Sequence, residues 1–230
     1  MESGKGANRM AEKYGTIPPK FTPAWFGYVW LYYKWHIILP LAVILFTGFT
    51  MYQCTHRPQY DAEVIYAGHT VFSEAQTEEI PLGLAQYVDD VNDDGEKTVF
   101  FQQINFSDTP GMEEMDYNMQ MKLDLQFQRG ETFLFIYDKD ETDIMIARES
   151  AELIYLPVTD WADVMPDADK LYTKDGVPYA VSLANNQKIK DIGINTDDIY
   201  LTLRINYSDG DDIAKKYENA KKLANALISE

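Results

Sequence analysis

The residues best suited to bind a metal ion lie in segment 90–98. Asp90, Asn92 and Asp94 alternate along the chain, and Gly95 follows them. Hard oxygen ligands at alternate positions of a loop, with a glycine that permits a sharp turn, are typical of calcium sites. The sequence therefore predicts a calcium loop whose candidate ligands are Asp90, Asn92, Asp94, Glu96 and Thr98.

The match to known calcium loops is partial. An EF-hand needs a bidentate glutamate where Phe101 stands, and Thr98 replaces the last acidic residue of the shorter calcium loops. A solvated acidic turn is the alternative interpretation, because turns favour the same residue types. Calcium binding, of the weak extracellular class, and a plain turn both remain open, and no other cofactor is indicated.

A second set of candidates follows three predicted strands. Ligands of open α/β sheets bind outside the carboxyl ends of the strands. His69 is more typical of a loop residue than of a catalytic base, and it is the only histidine beyond the linker. The candidate ligand-binding residues are His69 and Thr70 after the first strand, Asn105 and Ser107 after the second, and Asp138 and Lys139 after the third.

No catalytic machinery is legible in the sequence. There is no Gly-x-Ser-x-Gly elbow, no glycine-rich phosphate loop and no histidine pair at helical spacing. One cysteine excludes a disulfide framework and a four-thiolate metal site. The acidic runs 138–141 and 209–212 are interpreted as solvated turns and helix N-terminal charge. We therefore expect no enzyme, since an enzyme would need a charged or nucleophilic trio at the strand ends.

Strand and helix patterns alternate in the part of the chain that must position these residues. This order predicts an α/β fold, a three-layer domain with a mainly parallel sheet covered by helices on both faces. The predicted strands are Ala62 to Ala67, Thr98 to Phe106, Thr132 to Tyr137, Val177 to Leu183 and Ile199 to Tyr207. The predicted helices are Ser73 to Val91, Thr109 to Phe127, Asp143 to Tyr155 and Asp211 to Ile228.

A different composition precedes this domain. Ile37 to Tyr52 carries no charge, and with two further residues it spans about 27 Å as a helix, close to the hydrocarbon thickness. Trp25 to Trp35 is rich in aromatic residues that prefer the headgroup level, and Pro40 is expected in the first helical turn. A membrane span is favoured over a buried core helix, and an uncleaved signal anchor over a cleaved signal peptide or a lipoprotein processed at Cys54. The predicted division is a tail (1–23), an aromatic and transmembrane segment (24–54), a linker (55–60) and an α/β domain (61–230).

The charge distribution predicts the orientation. The chain has 20 basic and 37 acidic residues and a net charge of −17. Five of those basic and two of those acidic residues precede residue 55, which leaves 15 and 35 after it. The positive-inside rule places the N-terminus in the cytoplasm and the C-terminal domain outside. Nucleic acid is excluded as a general partner, because its phosphates would be repelled. Cys54 is expected at the membrane boundary, with an intermolecular disulfide as an open alternative.

Several short motifs resemble the first lobe of type II extracellular solute-binding proteins. The matching segments are Arg129–Glu131 after a long helix, Phe133–Tyr137, Ala151–Leu153, Leu156–Trp161 and Asp175–Val181. Tyr32–His36 and Asp198–Arg204 are in turn similar to uncharacterised bacterial single-pass membrane proteins with such a domain outside. The resemblance covers most of residues 60–230 and implies a bacterial cell-membrane protein with a single solute-binding-like lobe.

The chain departs from that family in one respect. A second lobe of similar size would follow the hinge strand, but only residues 184–198 separate Leu183 from Ile199. A two-lobed clamp therefore cannot form within one chain. We expect a non-catalytic extracellular binding or interaction domain, an accessory or scaffold component whose partners are the lipid bilayer and a membrane complex or homo-oligomer. The alternative is a receptor or sensor subunit that binds a small solute at the strand ends.

Overall fold

The computed structural model describes residues 18–55, 59–107, 109–194 and 198–229. The predictions for the tail before residue 18, for linker residues 56–58 and for the side chain of Cys54 lie outside the described part. The chain divides into two compact units with the boundary between Pro58 and Gln59.

The described part of the first unit is dominated by a long helix, α1 (Pro23–Thr55). Its segment Pro23–Gln53 is long and apolar enough to cross a membrane, and the most apolar part has no buried residue. The aromatic segment and the apolar run thus belong to one continuous helix. Pro40 lies in the interior of this helix and not in its first turn, so the expectation for that residue was wrong.

The second unit alternates strands and helices, and this confirms the α/β prediction. Its strands are β1 (Ala62–Gly68), β2 (Val99–Asn105), β3 (Leu134–Asp138), β4 (Leu171–Lys174), β5 (Val177–Ser182) and β6 (Ile199–Leu203). Its helices are α2 (Glu74–Ala85), α3 (Glu113–Arg129), α4 (Lys139–Ala147), α5 (Ala151–Ile154), α6 (Gln187–Asp191) and α7 (Asp211–Ile228).

The six strands form one mixed sheet in the order β2-β1-β3-β6-β5-β4. Strand β1 runs parallel to β2 and β3, whereas β6 is antiparallel to both β3 and β5, and β4 is antiparallel to β5. Strands β1, β2, β3 and β5 therefore point the same way. The sheet is mostly parallel by strand direction, with β4 and β6 reversed.

Hydrophobic cores lie on both faces of the sheet. Side chains of β1 alternate between them: Val64 and Tyr66 belong to the core under α2 and α7, and Ile65 and Ala67 to the core under α3, α4 and α5. Strands buried on both faces read as continuous apolar runs, which is the pattern of β1 and β3. The prediction of helices on both faces is confirmed.

Local side-chain chemistry explains where the helix predictions were right and wrong. Ser73 caps α2 in a reciprocal capping box, and Gly130 ends α3 in the left-handed region, at φ 75°. The helix expected from Asp143 begins earlier, at Lys139, because the Asp138 side chain accepts a hydrogen bond from the Glu141 amide. The chain then leaves helical geometry at Arg148, which splits that prediction into α4 and α5. Strand β4 was not predicted.

Candidate functional site

The parallel pairing of β1 and β3 brings two predicted site residues together. Ala67 pairs with Tyr137, so the carboxyl ends of β1 and β3 lie side by side. The residues that follow meet at the carboxyl edge of the sheet. They are Gly68 and His69 after β1 and Asp138 at the end of β3. The expectation that strand ends would gather these residues therefore holds for His69 and Asp138.

Gly68 makes this close approach possible. A Cβ atom at that position would lie 2.6 Å from Asp138 Oδ2 and 2.7 Å from the Tyr66 hydroxyl. Such distances are well below van der Waals contact, so any side chain at residue 68 would push Asp138 away. A glycine at the end of β1 is thus a steric requirement of the site.

Asp138 uses both carboxylate oxygens. Its Oδ2 accepts from the His69 amide at 2.6 Å and lies 2.7 Å from His69 Nδ1. Its Oδ1 accepts from the Glu141 amide at 2.9 Å and so caps α4. Because a carboxylate only accepts, the Nδ1 atom of His69 carries the proton, and in a neutral ring Nε2 is the basic nitrogen.

Glu141 completes what we call the strand-end cluster, which consists of His69, Asp138 and Glu141. Its side chain is only 3% exposed, and no described residue forms a hydrogen bond with its Oε1 atom. Burial raises its pKa to about 7; Arg148 opposes this rise, and the Asp138 carboxylate adds to it. The interpretation of 138–141 as a solvated acidic run was therefore wrong for Glu141, which exchanges protons near neutral pH.

Two further predicted residues border the cluster. Asn105 ends β2 opposite Gly68, and its buried Oδ1 has no hydrogen-bond partner in the described part of the chain. Thr70 donates its amide hydrogen to the Tyr66 hydroxyl at 3.2 Å, the same hydroxyl that a Cβ at residue 68 would approach to 2.7 Å. Both residues thus lie at the predicted edge.

Lys139 belongs to a neighbouring set of contacts. Its Nζ lies 2.6 Å from Asp143 Oδ1 and 5.3 Å from the ring centre of Tyr172 in β4. The Tyr172 hydroxyl donates to the same Asp143 oxygen. The hydrogen-bonded ion pair with Asp143 raises the pKa of Lys139. The hydrogen bonds from Lys139 and Tyr172 in turn lower the pKa of Asp143. Lys139 is therefore held by an exposed ion pair rather than by His69.

Ser107 is engaged elsewhere. Its amide donates to Asp116 Oδ1 at 2.8 Å, and its hydroxyl accepts from the Thr109 amide at 3.1 Å. These bonds attach the loop after β2 to the first turn of α3. The structure thus gives Ser107 a turn-forming role and shows no bond from it to the strand-end cluster.

A buried tyrosine pair lies on the core face next to Glu141. The hydroxyls of Tyr137 and Tyr155 are 2.8 Å apart, and both side chains are fully buried. Burial raises the pKa of both phenols well above the usual value, and the charge of Glu141 raises them further. The two hydroxyls are thus paired with each other inside the core.

Segment 90–98, the acidic loop, is organised by its own side chains. Asn92 accepts from the Asp94 amide, Asp94 accepts from the Glu96 amide, and Asp90 accepts from the Gly95 amide at 2.8 Å. These short-range bonds are characteristic of Asx turns. Three of the five candidate calcium ligands, Asp90, Asn92 and Asp94, therefore each use one side-chain oxygen to accept a backbone hydrogen bond.

Asp61 supports both ends of the acidic loop. This fully buried carboxylate accepts from the Val91 amide at 2.7 Å and from the Thr98 amide at 2.8 Å. Thr98, a candidate calcium ligand, is thus tied to Asp61 through its amide, and its hydroxyl lies 3.3 Å from the same carboxylate. Sequence reasoning did not identify Asp61.

Within the described residues, no group of three or more His, Cys, Asp or Glu side chains is placed to hold a metal ion. Asp90 Oδ1 is nevertheless buried and has no hydrogen-bond partner in that part of the chain. Calcium binding by the acidic loop therefore stays a prediction that a titration must test.

Three clefts of the domain lie away from the cluster. One of about 600 Å³ lies between segment 163–167 and the end of α7, and one of about 720 Å³ lies between the acidic loop and α7. A third, of about 540 Å³, lies at the carboxyl end of β5 near Ser182 and Lys188. The carboxyl edge of the sheet thus offers a cleft at β5 and the polar cluster at β1 and β3.

No protein-family model matches the chain, and no curated protein or solved structure matches it either. The site must therefore be judged by its own chemistry. Glu141 is the residue that sequence reasoning missed there, although Asp138 followed by Glu141 has the spacing of a helix N-cap and its third residue.

Proposed function

We propose that the protein is anchored in the bacterial cell membrane by α1, with its N-terminus in the cytoplasm and the α/β unit outside. The observation that carries this proposal is that an apolar, exposed helix precedes a separate compact unit. An exposed helix of this composition is stable in lipid and unfavourable in water. The excess of acidic residues after α1 supports the orientation through the positive-inside rule.

The outer unit has a binding or interaction role, as an accessory or scaffold component, in this proposal. Asp138 accepts three hydrogen bonds from its own domain, and the acidic-loop oxygens accept bonds from their own backbone. These groups therefore serve mainly to build the fold. The short motifs that resemble a solute-binding lobe favour the same class of role.

Binding of a small solute at the strand ends is the second candidate function. Two unpaired buried oxygens, Glu141 Oε1 and Asn105 Oδ1, favour it, because buried polar atoms usually have a partner. A ligand that donates hydrogen bonds, such as an amine or a polyol, would satisfy an oxygen of this kind. The same proton-exchanging cluster is where an acid–base reaction would take place if the domain were an enzyme.

Membrane topology tests the first proposal. In full-length protein with Cys54→Ser, we expect Val164→Cys, whose side chain is 78% exposed, to react with a membrane-impermeant maleimide on intact cells. A Ser3→Cys variant should react only after permeabilisation. The reverse labelling pattern, or equal labelling of both, would contradict the orientation.

Thermal stabilisation tests the second candidate. A ligand that binds only the folded state raises the melting temperature, so the full chain should be screened in detergent against amines, amino acids and sugars. A shift that disappears in Glu141→Gln but persists in the exposed control Glu152→Gln would support the strand-end site. A shift that both variants retain would place the ligand elsewhere, and no shift with any solute would count against this function.

A further inference from the structure

Arg204 directly follows β6, at the edge of the sheet where β3 begins. Leu203, the last residue of β6, pairs with Leu134, the first residue of β3. The Arg204 amide donates to the Phe133 carbonyl at 2.7 Å, and Arg204 also forms a β-bridge with Tyr155. These backbone contacts fix the position from which the Arg204 side chain extends.

The guanidinium of Arg204 lacks a counter-ion in the described part of the chain. Its Nη1 atom is buried and forms no hydrogen bond there, and no ion pair among the described residues includes Arg204. Burial lowers the pKa of this guanidinium, and the groups that oppose this effect are the phenols of Tyr155 and Tyr207. Buried charged side chains are usually paired, so an arginine without a carboxylate partner is unusual.

A hydroxyl group and a glycine lie beside this guanidinium. Outside α3 and its chain neighbours, the atoms nearest to a Cβ position at Gly130 are Ser208 Oγ at 2.9 Å and Arg204 Nη1 at 4.0 Å. The Ser208 amide donates to Asn206 Oδ1 at 2.9 Å, but its hydroxyl has no hydrogen-bond partner among the described residues. Two groups with unused donors therefore meet next to Gly130, and we call Arg204, Ser208 and Gly130 the Arg204 site.

We propose that the Arg204 site binds the carboxylate group of a small solute that carries a single negative charge. A guanidinium presents its N–H donors in a planar fork that fits the two oxygens of a carboxylate. The Ser208 hydroxyl can donate to a further lone pair of the same group. The residue is only partly buried, so a solute can approach it from solvent and supply the missing counter-ion.

The charge of the surrounding domain favours a monoanion over a dianion. After residue 54 the chain has 15 basic and 35 acidic residues, so its overall field repels anions. Coulomb energy is proportional to charge, and a dianion is therefore repelled about twice as strongly as a monoanion. Arg129, the basic residue next to Gly130, already pairs with Glu131 at 3.4 Å. One unpaired guanidinium matches one negative charge, which favours a monocarboxylate over a phosphate or a dicarboxylate.

The Arg204 site is separate from the strand-end cluster. Strand β3 runs from Leu134, near the Arg204 site, to Asp138 in the cluster, and its five residues place the two edges about 13 Å apart. The buried oxygen of Glu141 needs a hydrogen-bond donor, whereas Arg204 needs an acceptor. The two sites therefore call for different chemical groups, and binding at one does not depend on binding at the other.

Thermal unfolding of the full chain in a non-ionic detergent at pH 7 tests the site with acetate as the probe. Sodium chloride at equal ionic strength is the reference, because it matches the screening of charges. If the dissociation constant is about 10 mM, 100 mM acetate should raise the melting temperature by about 3–5 °C. The rise should disappear in Arg204→Gln and persist in Lys215→Gln, which removes the same charge from an exposed position. An equal rise in all three proteins, or none in the parent chain, would overturn the proposal.

Saturation-transfer NMR of the acetate methyl group gives a dissociation constant for milder variants that keep the fold. Arg204→Lys retains the charge but not the planar fork, and its dissociation constant should rise about tenfold. Ser208→Ala removes one hydrogen-bond donor and should raise the constant about fivefold. Unchanged constants in both variants would show that acetate binds elsewhere.

Two further titrations separate this proposal from its neighbours. Succinate, a dianion at pH 7, should bind the parent chain more weakly than acetate, and equal or tighter binding would contradict the selection for a single charge. Glu141→Gln should leave the acetate constant unchanged within about twofold, because its carboxyl lies at the other edge of the sheet. A large change in Glu141→Gln would place acetate at the strand-end cluster and overturn the Arg204 site, whereas failure of solute binding at the cluster leaves the acetate result intact.

Discussion

The strand-end cluster and the acidic loop are both rich in carboxylates, but they are built by different kinds of contact. In the cluster, Asp138 bonds to His69, a residue 69 positions away in the chain. In the acidic loop, Asp94 bonds to Glu96, two positions away. Long-range register buries a carboxylate such as Glu141, whereas local turn bonds leave the carboxylate of Asp94 exposed. The same residue type therefore acquires different chemistry from its place in the sheet.

The pH dependence of stability should show the largest contrast. The pKa of Glu141 rises from 4.5 to about 7 on folding, because burial disfavours the charged carboxylate. The folded state is therefore more stable when the carboxyl is neutral than when it is charged. That stabilisation is complete below pH 4.5 and is lost as the pH rises through about 7, and its size is on the order of 3 kcal/mol. In Glu141→Gln this loss should disappear.

Urea unfolding of the full chain in detergent at pH 5 and pH 8 provides the measurement. The exposed control Glu152→Gln should keep the fall in stability that the parent chain shows. If Glu141→Gln falls as steeply as that control, the buried carboxyl is not the group that titrates.

Two glycine substitutions compare the cost of a steric clash with the cost of an unfavourable backbone conformation. Gly68→Ala places a Cβ 2.6 Å from Asp138 Oδ2 and should destabilise the domain by about 2–3 kcal/mol, as overpacking does. Gly95→Ala meets no atom within 4 Å but has φ +88°, so its cost should be about 1 kcal/mol of backbone strain. The free energies of unfolding decide, and equal costs would mean that the cluster is not tightly packed.

Two carboxylate deletions compare the contacts themselves. Asp138→Ala removes the helix cap and the His69 contact, and we expect a loss of about 2 kcal/mol. Asp94→Ala removes exposed local bonds and should cost about 0.5 kcal/mol. Denaturant midpoints of the full chain measure both, and a larger loss for Asp94→Ala would reverse the order proposed for the two regions.

Calcium should give the smallest effect. If the acidic loop binds calcium with a dissociation constant of about 1 mM, then 1 mM calcium stabilises the fold by about 0.4 kcal/mol. Calorimetric titration of the parent chain, with Asp90→Ala and Asp94→Ala as variants, measures this directly. Identical heats in all three proteins would show that the acidic loop does not bind calcium.

Much of the fold could be predicted, because its signals are local. Short, largely apolar runs mark β1 and β3, and helical spacing marks α7 with the bounds that the structure shows. Strand β4 could not be predicted in this way, since it is four residues long and pairs with β5 through a hairpin that includes a register shift. Its place in the sheet follows from tertiary pairing rather than from its own pattern.

The site was predictable only in part for a related reason. His69 and Asp138 follow strands, so the rule about carboxyl ends identifies them without a structure. Glu141 and Asp61 give no such signal, because an acidic residue near a turn is usually solvated. Only the packing of α4 on the sheet and the position of the acidic loop over Asp61 show that both side chains are buried.

The buried pair Tyr137 and Tyr155 has a spectroscopic consequence. Ordinary phenols ionise near pH 10, and ionised phenols have a distinct ultraviolet absorbance. Burial raises the pKa of this pair, so its absorbance change must wait until the domain opens. In an alkaline pH jump, exposed tyrosines such as Tyr117 should respond within the dead time of mixing, and the buried pair should follow at the rate of unfolding. The delayed absorbance change of the two tyrosines therefore measures the rate at which the α/β unit opens.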